Sequence, residues 1–478
     1  MTHRNPRLAA LAAALLLAGC ANMAGIEPQA RLRDDASLNL PAAAAEAPLA
    51  VQWWRAFGDE QLDRLIEQAL ADNPNLRIAQ ARLARARAAG EVAGAALLPQ
   101  VNGQFDAMHQ RYSETGLLPP PIAGSVRDSA TLQLGAGWEL DFFGKNRALL
   151  EGALGAVRAQ QAETDAARIL LASNVARSYF QLARVDEQLV VARRTLAQRE
   201  EALRLVRDRV NAGLDTSLEL RQSEGGLPEG RQQIEALQEQ ATLARNALGA
   251  LVGKPNTDVV ATAPRLADIK PLATAAVIPA NLLGLRADVA AARWRVEAAG
   301  QDVRSAKAQF YPDINLSAFA GLSSIGLGNL LQAGSLQWGV GPAIRLPIFE
   351  GGKLRANLRG KTADYDAAVE SYNATVIEAI HEVGDQLASG RSIALQQAEQ
   401  KQAQASAEGA YDIAVQRYKA GLGNYLNVLT AENAVLAQRR LAVDLAARAL
   451  DTQVGLARAL GGGYVPPADA VAAANDKN

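Results

Sequence analysis

The chain has 478 residues and a formal net charge of −1, with 49 basic and 50 acidic side chains spread along its whole length. That balance leaves no basic footprint for nucleic acid and no acidic tail. Aromatics make up 5% and there is one cysteine, so a disulfide framework is excluded, and the Ala-, Leu-, Gln- and Arg-rich remainder favours long helices over a compact mixed core.

At the start, Met1 to Cys20 reads MTHRNPRLAALAAALLLAGC, with Arg4 and Arg7 ahead of an apolar run from Leu8 to Ala18. This is the layout of a secretory signal, expected over residues 1–19, and the run is too short to stay in a bilayer as a spanning helix. It closes on Leu17-Ala18-Gly19-Cys20, which resembles the lipobox of bacterial lipoproteins. The resemblance implies a covalent lipid on Cys20, the first mature residue. Two or more acyl chains anchor stably where one is marginal. Ala21 in place of an aspartate after the cysteine implies sorting to the outer membrane. Residues 20–58 are read as the lipid anchor and N-terminal segment. Beyond the signal no apolar stretch approaches the roughly 18 to 20 residues of a transmembrane helix, so any crossing must be made by strands.

The rest of the chain repeats itself. AALLPQV at Ala95–Val101 answers AQFYPDI at Ala308–Ile314, and Phe143-Gly144-Lys145-Asn146-Arg147 answers the stretch from Phe349 to Arg355. Arg209-Val210-Asn211-Ala212-Gly213-Leu214 answers Arg417-Tyr418-Lys419-Ala420-Gly421-Leu422. Three matches in one order divide the chain into a first repeat at 59–253 and a second at 281–460. A Pro-bearing linker, or equatorial segment, lies between them at 254–280. A tail at 461–478 is expected to be partly disordered. Each repeat is read as helix, two strands, long helix, tight turn, helix.

Strict alternation marks the strands. Ala130, Leu132, Leu134, Ala136, Trp138, Leu140 and Phe142 point one way, and Thr131, Gln133, Glu139 and Asp141 the other. Ile314 to Leu322 and Trp338 to Ile348 alternate likewise, and Val101 to Tyr112 is a weaker fourth case. Each is about ten residues long, the length of a tilted membrane strand, with Trp138, Phe142, Phe143 and Phe349 near the ends as an interfacial girdle. An ordinary soluble sandwich is the competing reading.

No proline interrupts Lys145 to Asn211, and Leu182, Val185, Leu189, Ala192, Leu196, Leu203, Val206 and Val210 form a heptad seam broken only by Arg199. Its counterpart runs from Lys353 to Ala420, and at 1.5 Å per residue each helix is about 100 Å long. Four membrane strands cannot close a barrel, and an open edge in lipid leaves N–H and C=O groups unpaired at several kcal/mol each. Closure therefore calls for oligomerisation, and three chains of four strands give twelve, a size with a polar lumen.

Several long stretches then carry a family resemblance: QWWRAFGDEQLDRLIEQAL at Gln52–Leu70, DNPNLRIAQARLARARAA at Asp72–Ala89, the segment Leu285–Gly321, and QRYKAGLGNYLNVLTAE at Gln416–Glu432. Over nearly the whole mature chain the sequence resembles the TolC family of outer-membrane factors, in its OprM/NodT-type lipoprotein branch. The resemblance implies a mostly α fold with transmembrane β: a homotrimer whose 12-stranded β-barrel continues into a long periplasmic α-helical barrel, internally duplicated. It implies an outer-membrane, lipid-anchored efflux channel working with a periplasmic adaptor and an inner-membrane RND or MFS transporter. No cofactor beyond the lipid on Cys20 is expected, and nucleic acid is not a partner.

Under this resemblance the turns Asn211–Asp215 and Lys419–Gly423 match the tips that dock on adaptor hairpins, with Gly213, Leu214, Gly421 and Leu422 at their centres. Glycine with positive φ is the usual way to end a helix there. Asn424, Tyr425 and Leu426 match the periplasmic aperture. Two departures stand out. Where relatives carry an Asp and then an Arg three residues on, this chain has Thr430 and Asn433, with Glu432 between them. The stretch Gly225-Gly226-Leu227-Pro228-Glu229-Gly230 falls where the family keeps a helix, and an interior proline costs about 3 kcal/mol, so a kink is expected.

Catalysis finds little support. The histidines are His3, His109 and His381, and no HExxH, CxxC pair, P-loop or GxGxxG precedes a helix. A type I protein-secretion duct and a coiled-coil structural lipoprotein are the alternatives to drug or small-molecule efflux.

Overall fold

The computed structural model describes residues 22–33, 49–254, 264–272 and 282–466. The signal, Cys20 and residues 467–478 lie outside them. The chain divides into two compact units, and neither coincides with a sequence repeat: one combines 82–160 with 292–372, the other 33–81, 161–291 and 373–478.

The first unit holds the sheet. Strands β1 (Gln100–Arg111), β2 (Val126–Leu140), β3 (Asp313–Ile325) and β4 (Leu336–Arg345) form one antiparallel sheet in the order β1-β2-β3-β4, so the two repeats meet where β2 pairs with β3. The register aligns like with like. Phe105, Leu132, Leu322 and Leu336 make one cross-strand row, and Gln104, Gln133, Gly321 and Gln337 make the next on the opposite face. The apolar face is bare: Val101, Leu134, Trp338 and Val340 are each more than 60% exposed. On the other face Gln337 donates to Gln133 at 3.3 Å and Thr131 pairs with Ser323 at 3.1 Å. β4 ends at Arg345, so Leu346 and Ile348, expected to extend the alternation, lie beyond the strand. Pro347 removes a ladder donor at that point.

Each β-hairpin is preceded by helix and followed by a very long helix. Helices α1 (Glu60–Asp72) and α2 (Pro74–Ala95) come first. The single helix expected there is two, because Asn73 has an extended backbone and its side chain caps the new helix at the Asn75 N–H. Helix α3 (Lys145–Asn211) has 67 residues and α4 (Ser217–Leu251) has 35. In the second repeat, α5 (Ala287–Ala308) precedes β3, and α6 (Lys353–Lys419) and α7 (Tyr425–Ala459) again have 67 and 35 residues. Asp141 starts α3 by accepting from the backbone N–H groups of Asn146 and Arg147 at 3.2 and 2.7 Å. Among the described residues no helix is long and apolar enough to cross a membrane.

The core of the second unit packs Trp53, Trp54 and Phe57 against Tyr179 and Phe180 of α3 and against the apolar faces of α1, α4 and α7. The predicted seam of α3 is buried at Leu182, Val185, Leu189, Ala192, Leu203 and Val206. The described part of the linker, 264–272, lies on this core. Leu266, Ile269 and Leu272 are buried, the Lys270 N–H donates to Phe57 O, and the Leu272 N–H donates to Gln453. The start of the tail is packed as well, with Tyr464 buried.

α4 runs unbroken through Pro228. The lost hydrogen bond is tolerated inside a 35-residue helix that is held to α3 by Ile234, Leu237 and Ala241 and by a polar cross-link at Gly226.

Candidate functional site

The site begins with two helix endings that share one backbone. At the first turn the Gly213 N–H donates to Val210 O and the Leu214 N–H to Arg209 O, at 3.0 and 2.9 Å. At the second, Gly421 N–H donates to Tyr418 O and Leu422 N–H to Arg417 O, at 3.0 and 2.8 Å. This pairing of a 6→1 and a 5→2 bond is the Schellman ending, and it needs a left-handed residue. Gly213 and Gly421 supply it with φ of +71° and +74°. Leu214 and Leu422 are left pointing outward, 65% and 68% exposed. The expected tip residues therefore sit at the apices of the two hairpins α3–α4 and α6–α7.

The next helices start differently. Thr216 caps α4 in a capping box with Glu219, whereas Asn424 caps α7 by accepting from the Asn427 N–H at 3.1 Å. The expected aperture trio is thus split by the structure. Asn424 is occupied as a cap, and Leu426 is 54% exposed. Tyr425 is buried against Tyr418, Val206 and Val428, with the two phenol rings 5.8 Å apart. Its ring thus packs between α3 and the second hairpin.

A polar link joins the two tips. Asp215 accepts from Arg209 Nε and Nη2 at 2.9 and 3.2 Å and from the hydroxyl of Tyr418, while the Arg209 guanidinium lies 4.7 Å from the centre of the Tyr418 ring. The Arg209 hydrogen bonds, joined by Tyr418, hold the Asp215 carboxyl below the usual carboxylate range against its desolvation. Burial and the neighbouring Asp215 push the Tyr418 hydroxyl up, so it stays a donor.

Farther from the tips a ladder of ion pairs connects α3 to α7: Arg177 to Asp451, Arg184 to Asp444 and Arg199 to Glu432. Residue spacing singled out Arg199 only as a break in the seam. The break is itself buried, and its partner Glu432 was visible only as the residue between two departures from the family pattern. Burial pushes the Glu432 carboxyl up while Arg199 opposes the shift. Among the described residues no group of three or more His, Cys, Asp or Glu side chains is placed to hold a metal ion.

Set beside known proteins, this architecture has a clear family. The family model described as outer membrane efflux protein matches residues 65–254 and 278–462. The chain belongs to the outer membrane efflux protein family. It is 31% identical over 483 aligned positions to the putative multidrug resistance outer membrane protein MdtQ of Escherichia coli (strain K12), covering 96% of this chain and 98% of that one. It is 38% identical over 369 residues to the fusaric acid resistance protein FusA of Burkholderia cepacia, covering 74% and 69%. Among solved structures, the outer membrane protein VceC of Vibrio cholerae is 36% identical and superimposes with a TM-score of 0.83 over 88% of this chain and 100% of that one. The protein is an outer-membrane efflux channel, and the bare apolar face of its sheet accords with that location.

Proposed function

We propose that three copies of the chain close a 12-stranded barrel, and that the resulting duct passes drugs or other small molecules outward from an inner-membrane RND or MFS transporter through a periplasmic adaptor. The observation that carries this reading is the sheet: an apolar face exposed on all four strands, with β1 and β4 each paired on one side only. A sheet edge is untenable in hydrocarbon unless completed by another strand. A sister copy offers β4 to β1 with the same alternation, and the two edges are of similar length.

The tips receive the adaptor through Gly213, Leu214, Gly421 and Leu422, since their leucines are the exposed apolar groups at hairpin apices. The link from Asp215 to Tyr418 holds the two hairpins of a protomer together at that end. Adaptor contact that separates them shifts the population toward an open aperture bordered by Leu426. Transport through such a duct is passive and requires no catalytic step and no cofactor.

Lipid on Cys20 completes the reading. The backbone carbonyl of Asn22 accepts from Arg355 near the start of α6, and the N–H groups of Gln29 and Ala30 both donate to Asp366 at 3.0 Å. These bonds tie the described residues that follow Cys20 in the sequence to the first part of α6.

Deletion of the gene followed by a susceptibility panel tests the function, with complementation by the wild type and by Cys20→Ala. Restored resistance with the wild type and weakened restoration with Cys20→Ala are expected. Unchanged susceptibility together with lost secretion of a repeat-rich protein would replace efflux by protein export. A monomer without β-signal in detergent would remove the pore.

A further inference from the structure

Arg199 joins its own helix to two others with one side chain. From its place on α3 its Nε donates to both carboxylate oxygens of Glu432 on α7, at 3.2 and 3.3 Å. Its Nη1 donates to the Gly226 carbonyl at 3.0 Å and to Glu229 at 3.3 Å, both on α4. Only the planar fork of arginine can serve partners in two directions at once. The side chains of Arg199 and Glu432 are 9% and 10% exposed, so removing Arg199 would leave the Glu432 carboxylate uncompensated inside the bundle.

The stretch Gly225–Gly230 finds its reason here. A Cβ at Gly226 would stand 3.6 Å from Arg199 Cδ, and one at Gly230 would stand 3.2 Å from Leu196 Cδ1. The contact at Gly226 is of ordinary length, while the one at Gly230 is tight, so Leu196 would have to give way to any side chain there.

This node lies roughly 20 Å along the helices from the tips, at 1.5 Å per residue. The second hairpin is therefore tied to the first at the apex by the Asp215–Tyr418 link and next, farther in, by the Arg199–Glu432 pair, the first rung of the ladder that continues to Asp444 and Asp451. The two ties differ in what surrounds them. Asp215 and Tyr418 meet beside solvent-exposed turns, and Asp215 keeps Arg209 as a partner when the tyrosine leaves. Arg199 and Glu432 sit farther in, among the buried side chains of the seam, where separation strands the Glu432 carboxylate and leaves Arg199 only the exposed Glu229 as a charged partner.

We propose that Arg199 is the pivot of tip opening: the apical link breaks, the buried node holds, and the helix lengths between them swing as levers about it. Arg199 is thus a positioning residue, and its role rests on the reading that the tips open.

Electron–electron distance measurements on the full-length, reconstituted protein test this with two spin-label pairs at exposed sites. A lower pair joins Leu214 to Leu426, and an upper pair joins Val190 to Leu441. In the Tyr418→Phe background the lower distribution is expected to broaden and lengthen by several ångströms while the upper one stays as in the wild type. Adding Glu432→Gln, or Arg199→Lys where that variant folds better, is expected to broaden the upper distribution too. Lowered thermal stability with the upper pair unmoved would mark the node as mere scaffolding and overturn the proposal. So would equal movement of both pairs in Tyr418→Phe alone. Stillness of both pairs in Tyr418→Phe would instead sink the apical link as the restraint. Glu432→Gln by itself then decides the pivot, which requires the upper pair to broaden.

Discussion

The two tips of the molecule are alike in backbone and unlike in side chain. Both end a 67-residue helix on a glycine of positive φ with the same pair of carbonyl contacts. Where the first tip has Asp215, however, the second has Gly423, and where the second has Tyr418, the first has Val210. Arg209 turns to Asp215, whereas its counterpart Arg417 bonds only the Leu422 carbonyl. Duplication kept the turn, which either repeat needs, and altered the groups around it until an acceptor on one tip met a donor on the other.

That contrast can be broken most forcefully at Asp215. Asp215→Ala removes the acceptor of both Arg209 and Tyr418 and leaves two largely buried donors without it, a loss of about 2 to 3 kcal/mol. Spontaneous opening in planar bilayers should rise roughly 30- to 150-fold, at tenfold per 1.4 kcal/mol; an unchanged opening rate would show that the tips are independent. Gly213→Ala and Gly421→Ala sharpen the comparison in the other direction. Each forces a Cβ into the left-handed region at about 1 to 2 kcal/mol, and thermal melting should show equal losses, because the two backbones are equal. Tyr418→Phe keeps the ring packing and the cation above it and deletes only the hydroxyl, so opening should increase about fivefold, for about 1 kcal/mol. Caps come next: Thr216→Ala and Asn424→Ala should each lower helix stability by about 1 kcal/mol, read by circular dichroism.

Acid is the gentlest probe. The carboxyl of Asp215 is depressed in the folded state, so its contribution is complete above the ordinary carboxylate range and is lost only as pH falls through the depressed value. Opening should therefore be flat between about pH 8 and pH 5 and rise only below about pH 4. A rise near neutrality would point to a group other than Asp215.

Much of this was legible in the chain because its signals are local. Period-two alternation marked β2, β3 and β4, proline-free heptads marked α3, and the paired Ala-Gly-Leu turns marked the tips. Pairings between residues some two hundred positions apart were not legible. Nothing in the spacing of Tyr418 says that it will meet Asp215 or that Tyr425 will pack beside it. Pro228 is a related case. Its penalty is a property of one helix, while its tolerance depends on the close neighbour α3 and on Arg199. Nor does the composition of the linker show that Leu266, Ile269 and Leu272 bury themselves in the core.

The seam between β2 and β3 has a consequence for biogenesis. Its partners are roughly 170 to 200 residues apart in the chain, a separation that makes pairing slow. During secretion the first hairpin reaches the periplasm long before the strand that completes it, with Phe105, Leu132, Leu134 and Trp138 uncovered. Such a segment is prone to aggregate on its way to the bilayer. Escort by a holding chaperone, or delivery to the insertion machinery before the sheet is whole, is therefore built into the order of the elements.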